Sequence, residues 1–570
     1  MRANSSFLFR VRLISIGCFL VGLVLIGKLY LVQIVSGEVY REKAERQYAR
    51  PNQDLWDRGT ILFTTRDGEK VSAATLKTGF TLALIPKDVR DSEAVWSTLS
   101  KYTSLDKEAF LAKAEKRDDP YEEVARRLPA DAVETIEAQK LKGVSLYKER
   151  WRFYPGEKLA AHLLGFVGFD GNLLLGRSGL ERYYNDVLSR TTSELRKNFF
   201  AEIFSDVKHS LGEERSEGDL ITSIEPTAQN FLETTLSELQ STFTAKQVGG
   251  IVMDPQTGRI YAMALAPTFD PNDYGKETDP MRFTNSLVEN VYEMGSIIKP
   301  ITMASGLDAG VVTASSTYTD AGFLTLNGKT ISNFDGKGRG KVDMQEVLSQ
   351  SLNTGAATVA LKLGKDRFRE YFKQFGLGEE TGIDLPSEAA GLVGNLKSGR
   401  DIELATASYG QGIALTPIQT IRALSALGNG GYLVTPHVVT DIKYRIGLTR
   451  SLEGDEKRQV IKPETSEEIT RMLVRVVDTA LLEGTYKMTQ HSIAAKTGTG
   501  LIADSKGGGY YPDKFLHSFF GYFPAYNPRF IVFLFAVEPQ GVAFASASLT
   551  SPFFKIATFL INYYEIPPDR

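Results

Sequence analysis

The pattern of apolar and polar positions divides the chain into three parts. Residues 13–35 form an almost wholly apolar run, and about 20 such residues span a bilayer as a helix. Residues 36–215 are more polar, and residues 88–140 have the periodicity of short surface helices. From about residue 218 onward, helical stretches alternate with runs rich in Val, Ile and Phe. This pattern predicts a membrane anchor, a polar middle segment and a globular C-terminal domain.

The residues that precede the apolar run predict its orientation. Arg2, Arg10 and Arg12 lie before it, with no acidic residue among them. Positive charge favours the cytoplasmic side, so residues 1–12 are expected in the cytoplasm and the chain from about residue 36 outside it. A cleaved signal peptide has a shorter apolar core, of about 7–15 residues, that ends at small residues. The bulky residues after position 35 favour an uncleaved anchor at 13–35, and the run also continues well past Cys18, a conceivable lipidation site.

The C-terminal part has the pattern of an α+β domain. A helical stretch at 229–242 precedes two apolar runs, 248–253 and 259–265, which are separated by a turn sequence. A mostly helical block follows over about 295–430, and two further apolar runs, 515–523 and 529–537, surround a proline-containing turn. Hairpins on both sides of a helical block predict one antiparallel sheet with helices packed on it.

Composition excludes several functional classes. The 570 residues are 42% hydrophobic and 24% charged, as in globular proteins. The 66 basic and 69 acidic residues give a net charge of −3, without the basic excess that nucleic acid requires. The single cysteine excludes a multi-cysteine metal site, and the five histidines lack the spacing of a zinc hydrolase. We therefore expect neither a metal nor a cofactor, and no nucleic-acid partner.

Three short motifs with nucleophile chemistry follow one another in the C-terminal part. Ser296-x-x-Lys299 opens an apolar helical stretch, and its spacing places both side chains on one helix face. A lysine that is held neutral can accept the proton of a serine hydroxyl, which activates the oxygen as a nucleophile. Ser351-x-Asn353 comes next, and the run 496–499, Lys-Thr-Gly-Thr, lies just before the terminal hairpin.

Each motif taken alone is a weak signal. The segments 104–107 and 205–208 also read Ser-x-x-Lys, and the segment 77–79 also reads Lys-Thr-Gly. We interpret these three as turns or surface positions, since they lack the surrounding pattern. The order of the three C-terminal motifs is what is typical of β-lactamases and penicillin-binding proteins.

With this order, the chain resembles class B penicillin-binding proteins, which are monofunctional peptidoglycan D,D-transpeptidases. The resemblance extends over nearly the whole chain through the blocks 57–61, 179–184, 250–258, 409–412, 416–419 and 429–431. Three positions depart from the family pattern: Met294 replaces a usual proline, Gly500 replaces a usual alanine, and residues 62–65 replace a usual Asp-Arg-Asn-Gly. None of these departures removes a reacting group.

The resemblance implies an α+β fold of the penicillin-binding and serine β-lactamase type on an extended N-terminal pedestal. The expected segments are a cytoplasmic tail at 1–12, a transmembrane anchor at 13–35, a pedestal or dimerisation-like interaction domain at 36–217 and a transpeptidase domain at 218–570. The chain would then be a single-pass protein of the cytoplasmic membrane, with an extracytoplasmic, periplasmic catalytic domain.

The resemblance also implies a role for each motif residue. Ser296 would attack the carbonyl between two D-alanines of a stem peptide, and Lys299 would be the base in acylation. Ser351 would relay a proton to the departing amine. Lys496 would raise the local positive potential, which disfavours protonation of the neighbouring lysine. β-Lactams would trap the nucleophile because they resemble the donor.

The remaining motif residues would bind substrate. Asn353 would hold the backbone amide of the donor, and Thr497 and Thr499 would bind its terminal carboxylate. Gly498 has no side chain, so substrate backbone could approach the strand closely. The backbone N–H groups of Ser296 and Thr499 would form the oxyanion hole.

Several alternatives stay open. A β-lactamase or D,D-carboxypeptidase would pass the acyl group to water. A β-lactam sensor would need a cytoplasmic signalling domain, and a scaffold for wall-synthesis proteins would not need all three motifs. Within class B, the YLVQIV exit from the anchor favours the cell-division type over the elongation type. A polytopic membrane glycosyltransferase and other cell-division proteins are the expected partners, beside the peptidoglycan stem peptides.

Overall fold

The computed structural model describes residues 19–22, 28, 56–171, 173–190, 217–445, 447–452, 457–504 and 507–570. The predicted cytoplasmic tail and most of the predicted anchor at 13–35 lie outside these residues. In the part of the chain that is described, no helix has both the length and the apolar character needed to cross a bilayer. The anchor and the bounds of the four predicted segments therefore stay predictions.

The described strands are distributed over the whole extracytoplasmic part predicted above. In chain order they are β1 (Asp57–Arg58), β2 (Ile61–Thr64), β3 (Lys70–Leu84), β4 (Glu122–Leu128), β5 (Val144–Phe153), β6 (Val167–Asp170), β7 (Leu173–Gly176), β8 (Ser189–Arg190), β9 (Gly218–Thr222), β10 (Gln247–Met253), β11 (Ile260–Ala266), β12 (Thr317–Asp320), β13 (Phe323–Leu326), β14 (Lys329–Ser332), β15 (Gly340–Asp343), β16 (Tyr432–Leu433), β17 (Val439–Tyr444), β18 (Thr449–Ser451), β19 (Arg458–Gln459), β20 (Ala494–Ala503), β21 (Tyr510–Phe523) and β22 (Phe530–Val537).

The α-helices of the described ranges are concentrated after residue 217. In chain order they are α1 (Ser92–Leu99), α2 (Lys107–Ala114), α3 (Ala130–Ala138), α4 (Ala161–Leu164), α5 (Gly179–Tyr183), α6 (Asn185–Leu188), α7 (Pro226–Phe243), α8 (Ser286–Glu289), α9 (Lys299–Asp308), α10 (Met344–Ser349), α11 (Asn353–Leu363), α12 (Lys365–Gln374), α13 (Asp401–Ala407), α14 (Pro417–Ser425), α15 (Pro463–Arg475) and α16 (Ala545–Tyr563). The 3₁₀ turns are Pro86–Asp88, Tyr274–Lys276, Pro280–Phe283, Gly295–Ile298, Gly394–Lys397 and Leu481–Gly484, and Val476–Ala480 is a π-helical turn.

The described chain forms two compact units. The first consists mainly of Leu76–Trp151, and the second contains Arg58–Thr75, Arg152–Arg190 and the described residues from 217 onward. In the first unit, helices α1–α3 surround the second half of β3 and its antiparallel neighbour β4. Their shared core contains Leu82, Leu99, Phe110 and Leu128. The short surface helices expected at 88–140 are present, whereas β4 was not predicted because its sequence, EEVARRL, is mostly charged.

The second unit is built on a five-stranded antiparallel sheet with the strand order β11-β10-β22-β21-β20. Strands β10, β11 and β22 and the second half of β21 are largely buried on both faces, and neighbouring side chains point to opposite sides of the sheet. Phe519 packs in the core formed with α7 and α16, whereas Phe520 packs in the core formed with α9 and the rest of the helical block. The predicted α+β architecture, a sheet closed by N-terminal and C-terminal hairpins with helices on it, is confirmed.

The block at 295–430 is less uniformly helical than predicted. It contains the short antiparallel pairs β12 with β15 and β13 with β14. Each of these strands has only four residues and is largely exposed. Runs of this length are too short to produce a clear alternation of apolar and polar positions, which is why the pattern did not reveal them.

The second unit also contains a buried ion cluster. Glu181 is fully buried, and its carboxylate accepts hydrogen bonds from Arg58 at 2.6 Å, from Arg152 and from the hydroxyl of Tyr154 at 3.3 Å. Arg58 also donates to the backbone carbonyl of Glu181 at 2.8 Å, and Arg152 donates to that of Gly59 at 2.7 Å. Two of the sequence blocks that carry the family resemblance, 57–61 and 179–184, therefore meet in one cluster.

Candidate active site

The first motif lies where a turn becomes a helix in the second unit. Ser296 belongs to the 3₁₀ turn Gly295–Ile298, and α9 begins at Lys299. The ammonium nitrogen of Lys299 is 2.9 Å from the hydroxyl oxygen of Ser296, and the lysine is only 1% exposed. The predicted pair of nucleophile and base is therefore in hydrogen-bond contact.

The second motif occupies the turn between α10 and α11. Ser351 has φ 55°, a left-handed conformation that is uncommon for a residue other than glycine. This conformation places both oxygens of the residue near Lys299, whose Nζ is 2.6 Å from the Ser351 carbonyl and 3.1 Å from its hydroxyl. The turn thus brings a second hydroxyl to the base of the first motif.

The third motif lies on β20, the last strand in the order of the sheet. Lys496 is 3% exposed, and its Nζ donates to the hydroxyl of Ser351 at 3.1 Å and to the carbonyl of Thr497 at 3.1 Å. The hydroxyl of Ser351 therefore lies within hydrogen-bond distance of both lysines. Ser296, Lys299, Ser351 and Lys496 form one continuous network.

The electrostatics of this network favour a neutral base. Burial, and secondly the positive charge of Lys496, hold the pKa of Lys299 well below its ordinary value. Burial lowers the pKa of Lys496 to about 8. A lysine without its proton is a hydrogen-bond acceptor, so Lys299 is suited to take the proton of the Ser296 hydroxyl.

The four predicted substrate-binding residues surround this network. The side-chain amide of Asn353 donates to the Ser332 carbonyl at 2.8 Å, and the hydroxyl of Thr499 accepts from the backbone N–H of Ala545 at 3.1 Å. Thr497 is partly exposed on β20. Gly498 faces protein as well, because a Cβ there would lie 2.8 Å from the Met294 carbonyl oxygen. Gly498 is therefore required for packing against the turn that contains Ser296, Gly295–Ile298, which we call the nucleophile turn.

The additional copies of the motifs do not form a comparable cluster. In the first unit, Lys107 of the segment 104–107 pairs with Glu93 at 2.9 Å on the surface. The interpretation of the segment 77–79 as a turn was wrong, because it lies within the long strand β3 in the same unit. The segment 205–208 lies outside the described residues. The order and context of the motifs, rather than their sequence alone, therefore distinguish the copies that meet in one network.

The network lies in a groove of about 1540 Å³. Sequence reasoning missed several aromatic residues of its wall, among them Phe334, Tyr409, Tyr510 and Phe544. The ring of Tyr409 lies 6.0 Å from the Nζ of Lys299. Tyr409 begins a block that carries the family resemblance, which was the available signal, whereas nothing local in the sequence distinguishes the other three. No group of three or more potential ligands for a metal ion occurs in the ranges that the structure covers.

Comparison with known proteins assigns this groove to a family. The profile of the penicillin binding protein transpeptidase domain matches residues 248–557, which is more than half of the chain. The chain belongs to this family. A second profile, the penicillin-binding protein dimerisation domain, matches residues 57–198. The predicted resemblance to class B penicillin-binding proteins, and with it the transpeptidase activity, is confirmed.

Relatives of similar length support the same assignment. The chain is 29% identical to Stage V sporulation protein D of Bacillus subtilis, over 95% of this chain and 84% of that protein. It is 26% identical to the peptidoglycan D,D-transpeptidase FtsI of Escherichia coli, over 97% and 92% of the two chains. The crystal structure of Penicillin binding protein 3 from Mycobacterium tuberculosis, complexed with aztreonam, has a TM-score of 0.69 at 21% identity and covers 91% of this chain and 98% of its own. That likeness supports the fold.

Proposed function

We propose that this chain cross-links peptidoglycan stem peptides through an acyl-enzyme on Ser296. The observation that carries the proposal is the 2.9 Å contact between the Ser296 hydroxyl and Lys299, whose pKa is lowered by burial and by Lys496. This contact lies in a groove that is large enough for a peptide. The relatives named peptidoglycan D,D-transpeptidase support the choice of substrate.

Acylation begins with transfer of the Ser296 proton to Lys299. The serine oxygen forms a bond to the carbonyl carbon of the penultimate D-alanine, and the bond to the terminal D-alanine nitrogen breaks. The departing amine requires a proton. Ser351 is suited to relay it, because its hydroxyl is 3.1 Å from Lys299 and 3.1 Å from Lys496. General acid–base catalysis of this kind contributes about 10²–10⁴ in rate.

The donor stem is held along β20. Thr497 and Thr499 bind its terminal carboxylate, and Asn353 binds its backbone amide. The N–H groups of Ser296 and Thr499 stabilise the oxyanion, which is supported by the close packing of the nucleophile turn on β20 near Gly498. Loss of one such donor typically costs about 10²–10³ in rate. The amine of a neighbouring stem then attacks the acyl carbon, the ester bond to the Ser296 oxygen breaks, and the amine proton returns to that oxygen, which gives the cross-link and the free enzyme.

The cellular setting follows from the predicted anchor. The predicted anchor at 13–35, with arginines on its N-terminal side, supports a catalytic domain outside the cytoplasmic membrane, where peptidoglycan is assembled. The YLVQIV exit from the predicted anchor favours a septal role in cell division over elongation. A polytopic membrane glycosyltransferase, which would supply glycan strands, and other cell-division proteins are the proposed partners.

Product analysis tests the proposed reaction. The full-length protein in detergent is given pentapeptide-bearing glycan strands, and the muropeptides are separated after digestion. Dimeric muropeptides and released D-alanine are expected from the wild type and from Ser104→Ala, and neither product from Ser296→Ala. Trimmed monomers alone would identify a D,D-carboxypeptidase, and dimers from Ser296→Ala would overturn the assignment of the nucleophile.

A further inference from the structure

Glu293 lies shortly before the nucleophile turn, Gly295–Ile298, and makes contacts that the proposed mechanism does not use. Glu293 lies two positions before Gly295. One carboxylate oxygen, Oε2, accepts both the hydroxyl of Tyr510 at 2.8 Å and the backbone N–H of Gly412 at 3.1 Å. Tyr510 is the first residue of β21, and both Tyr510 and Gly412 line the groove. A single oxygen thus connects three separate parts of the groove wall.

The backbone of the same turn is packed without spare room. The N–H of Gly295 donates to the Gly410 carbonyl at 3.1 Å. A Cβ on Gly295, which has φ +66°, would lie 2.8 Å from the carbonyl of Thr499, and a Cβ on Gly500 would overlap the carbonyl of Glu293. A small displacement of the turn would therefore change the separation between the N–H groups of Ser296 and Thr499.

We propose that Glu293 is a positioning residue that holds the nucleophile turn in register with β20. Its carboxylate joins that turn to the 410–412 turn and to Tyr510 of β21. This inference rests on the proposed function, because the geometry that Glu293 maintains is that of the oxyanion donors. Donors preorganised to the transition state stabilise it more than the bound substrate. Glu293 should therefore affect the acylation step and not the initial binding of the acyl donor.

The side chain is suited to this role by its chemistry. A carboxylate oxygen offers more than one acceptor direction and needs no donor of its own, so it can accept from an N–H and an O–H at once. Hydrogen bonds to an ionised group are stronger than those between neutral groups. Glutamine keeps the size of Glu293 but has no charge. If its amide group rotates, the amide nitrogen faces the two donors, the N–H of Gly412 and the hydroxyl of Tyr510. Glu293→Gln is therefore the conservative variant that isolates the carboxylate.

The test separates binding from acylation with a fluorescent penicillin. Stopped-flow labelling of the full-length protein in detergent gives the dissociation constant Ks of the non-covalent complex and the acylation rate constant k2. We expect k2 of Glu293→Gln to fall about tenfold, less than the ~10²–10³ typical of losing an oxyanion donor itself. We expect Ks to change less than threefold, and the labelled fraction at the end of the reaction to equal that of the wild type.

Tyr510→Phe supplies an independent measurement on the partner of Glu293. It removes one hydroxyl and keeps the ring on the groove wall, so we expect k2 to fall about threefold. The double variant should be no slower than Glu293→Gln alone, because both changes break the same link. Tyr511→Phe, on the neighbouring position of β21, is the matched control and should leave k2 unchanged.

The outcomes are distinguishable from failure of the proposed function. Covalent labelling of Ser296→Ala would refute the nucleophile and leave Glu293 without the role described. With the nucleophile intact, an unchanged k2 in Glu293→Gln would overturn the present inference. A change confined to Ks, a loss of labelled fraction at normal k2, or independent additive effects of the two variants would also overturn it.

Discussion

Replacing Glu181 by glutamine should open the ion cluster that joins the 57–61 and 179–184 blocks. The carboxylate is fully buried between Arg58 and Arg152, whose side chains are 1% and 4% exposed. The substitution keeps the shape of the side chain and removes its charge. Both guanidinium groups would then meet a neutral amide in place of the carboxylate, and loss of charge pairing for a buried cation is unfavourable.

The expected magnitude follows from burial. Removing one partner of a buried ion pair typically costs about 3–5 kcal/mol, because the remaining charge is left uncompensated. Burial alone would raise the pKa of Glu181, but Arg152 and Arg58 hold it below its ordinary value of 4.5. The carboxylate therefore contributes stability above that ordinary value, and this contribution is lost as the pH falls through the lowered pKa. The difference between wild type and Glu181→Gln should shrink at acid pH.

Native-state hydrogen exchange of the full-length protein in detergent measures this effect locally. The reporter is the amide of Gly59, which donates to the Leu188 carbonyl at 2.8 Å next to the cluster. A loss of about 3–5 kcal/mol corresponds to exchange that is roughly 10²- to 4 × 10³-fold faster. The matched control is Glu565→Gln, which breaks the exposed pair of Arg66 with Glu565 at 2.8 Å and should leave this amide unchanged. Equal, small effects of both variants would refute the reasoning.

Two further predictions concern the active site. Lys496→Gln removes the positive charge that, after burial, lowers the pKa of Lys299, so the pKa of Lys299 should rise. In a pH profile of penicillin acylation, the acid limb of k2 should then move to higher pH. An unmoved acid limb would contradict this prediction. Gly295→Ala places a Cβ 2.8 Å from the Thr499 backbone at φ +66°, and labelling should slow by roughly 10²-fold or more. The control is Gly399→Ala, where a Cβ meets nothing within 4 Å, and this variant should be labelled at the wild-type rate. Similar labelling rates for the two alanine variants would contradict the packing argument.

The catalytic network could be predicted from sequence because its chemistry constrains residue type and order. A serine with a lysine three positions later, a later serine and a second lysine on a terminal strand are local patterns that can be read one at a time. The hydrophobic periodicity also predicted the hairpins of β10 with β11 and β21 with β22, since these strands are long and buried. The family resemblance then related the motifs to each other.

The supporting contacts could not be predicted in the same way. Glu293 and Tyr510 are 217 positions apart, and no local pattern marks either residue as a partner of the other. The left-handed backbone of Ser351, which brings its hydroxyl to both lysines, contradicts the usual preference of serine. The Glu181 cluster depends on Arg58, which the sequence analysis named only as part of the block 57–61, and on Arg152, which it did not single out. Long-range pairing and local strain are set by the tertiary structure, so they required coordinates.

The central claim is that Ser296 is the acylated nucleophile of this groove. Intact-mass measurement of the full-length protein after exposure to benzylpenicillin, followed by peptide mapping of the adduct, tests it directly. We expect one added penicilloyl group per chain, on the peptide that contains Ser296, and no adduct in Ser296→Ala. An adduct on another residue, or one that persists in Ser296→Ala, would contradict it.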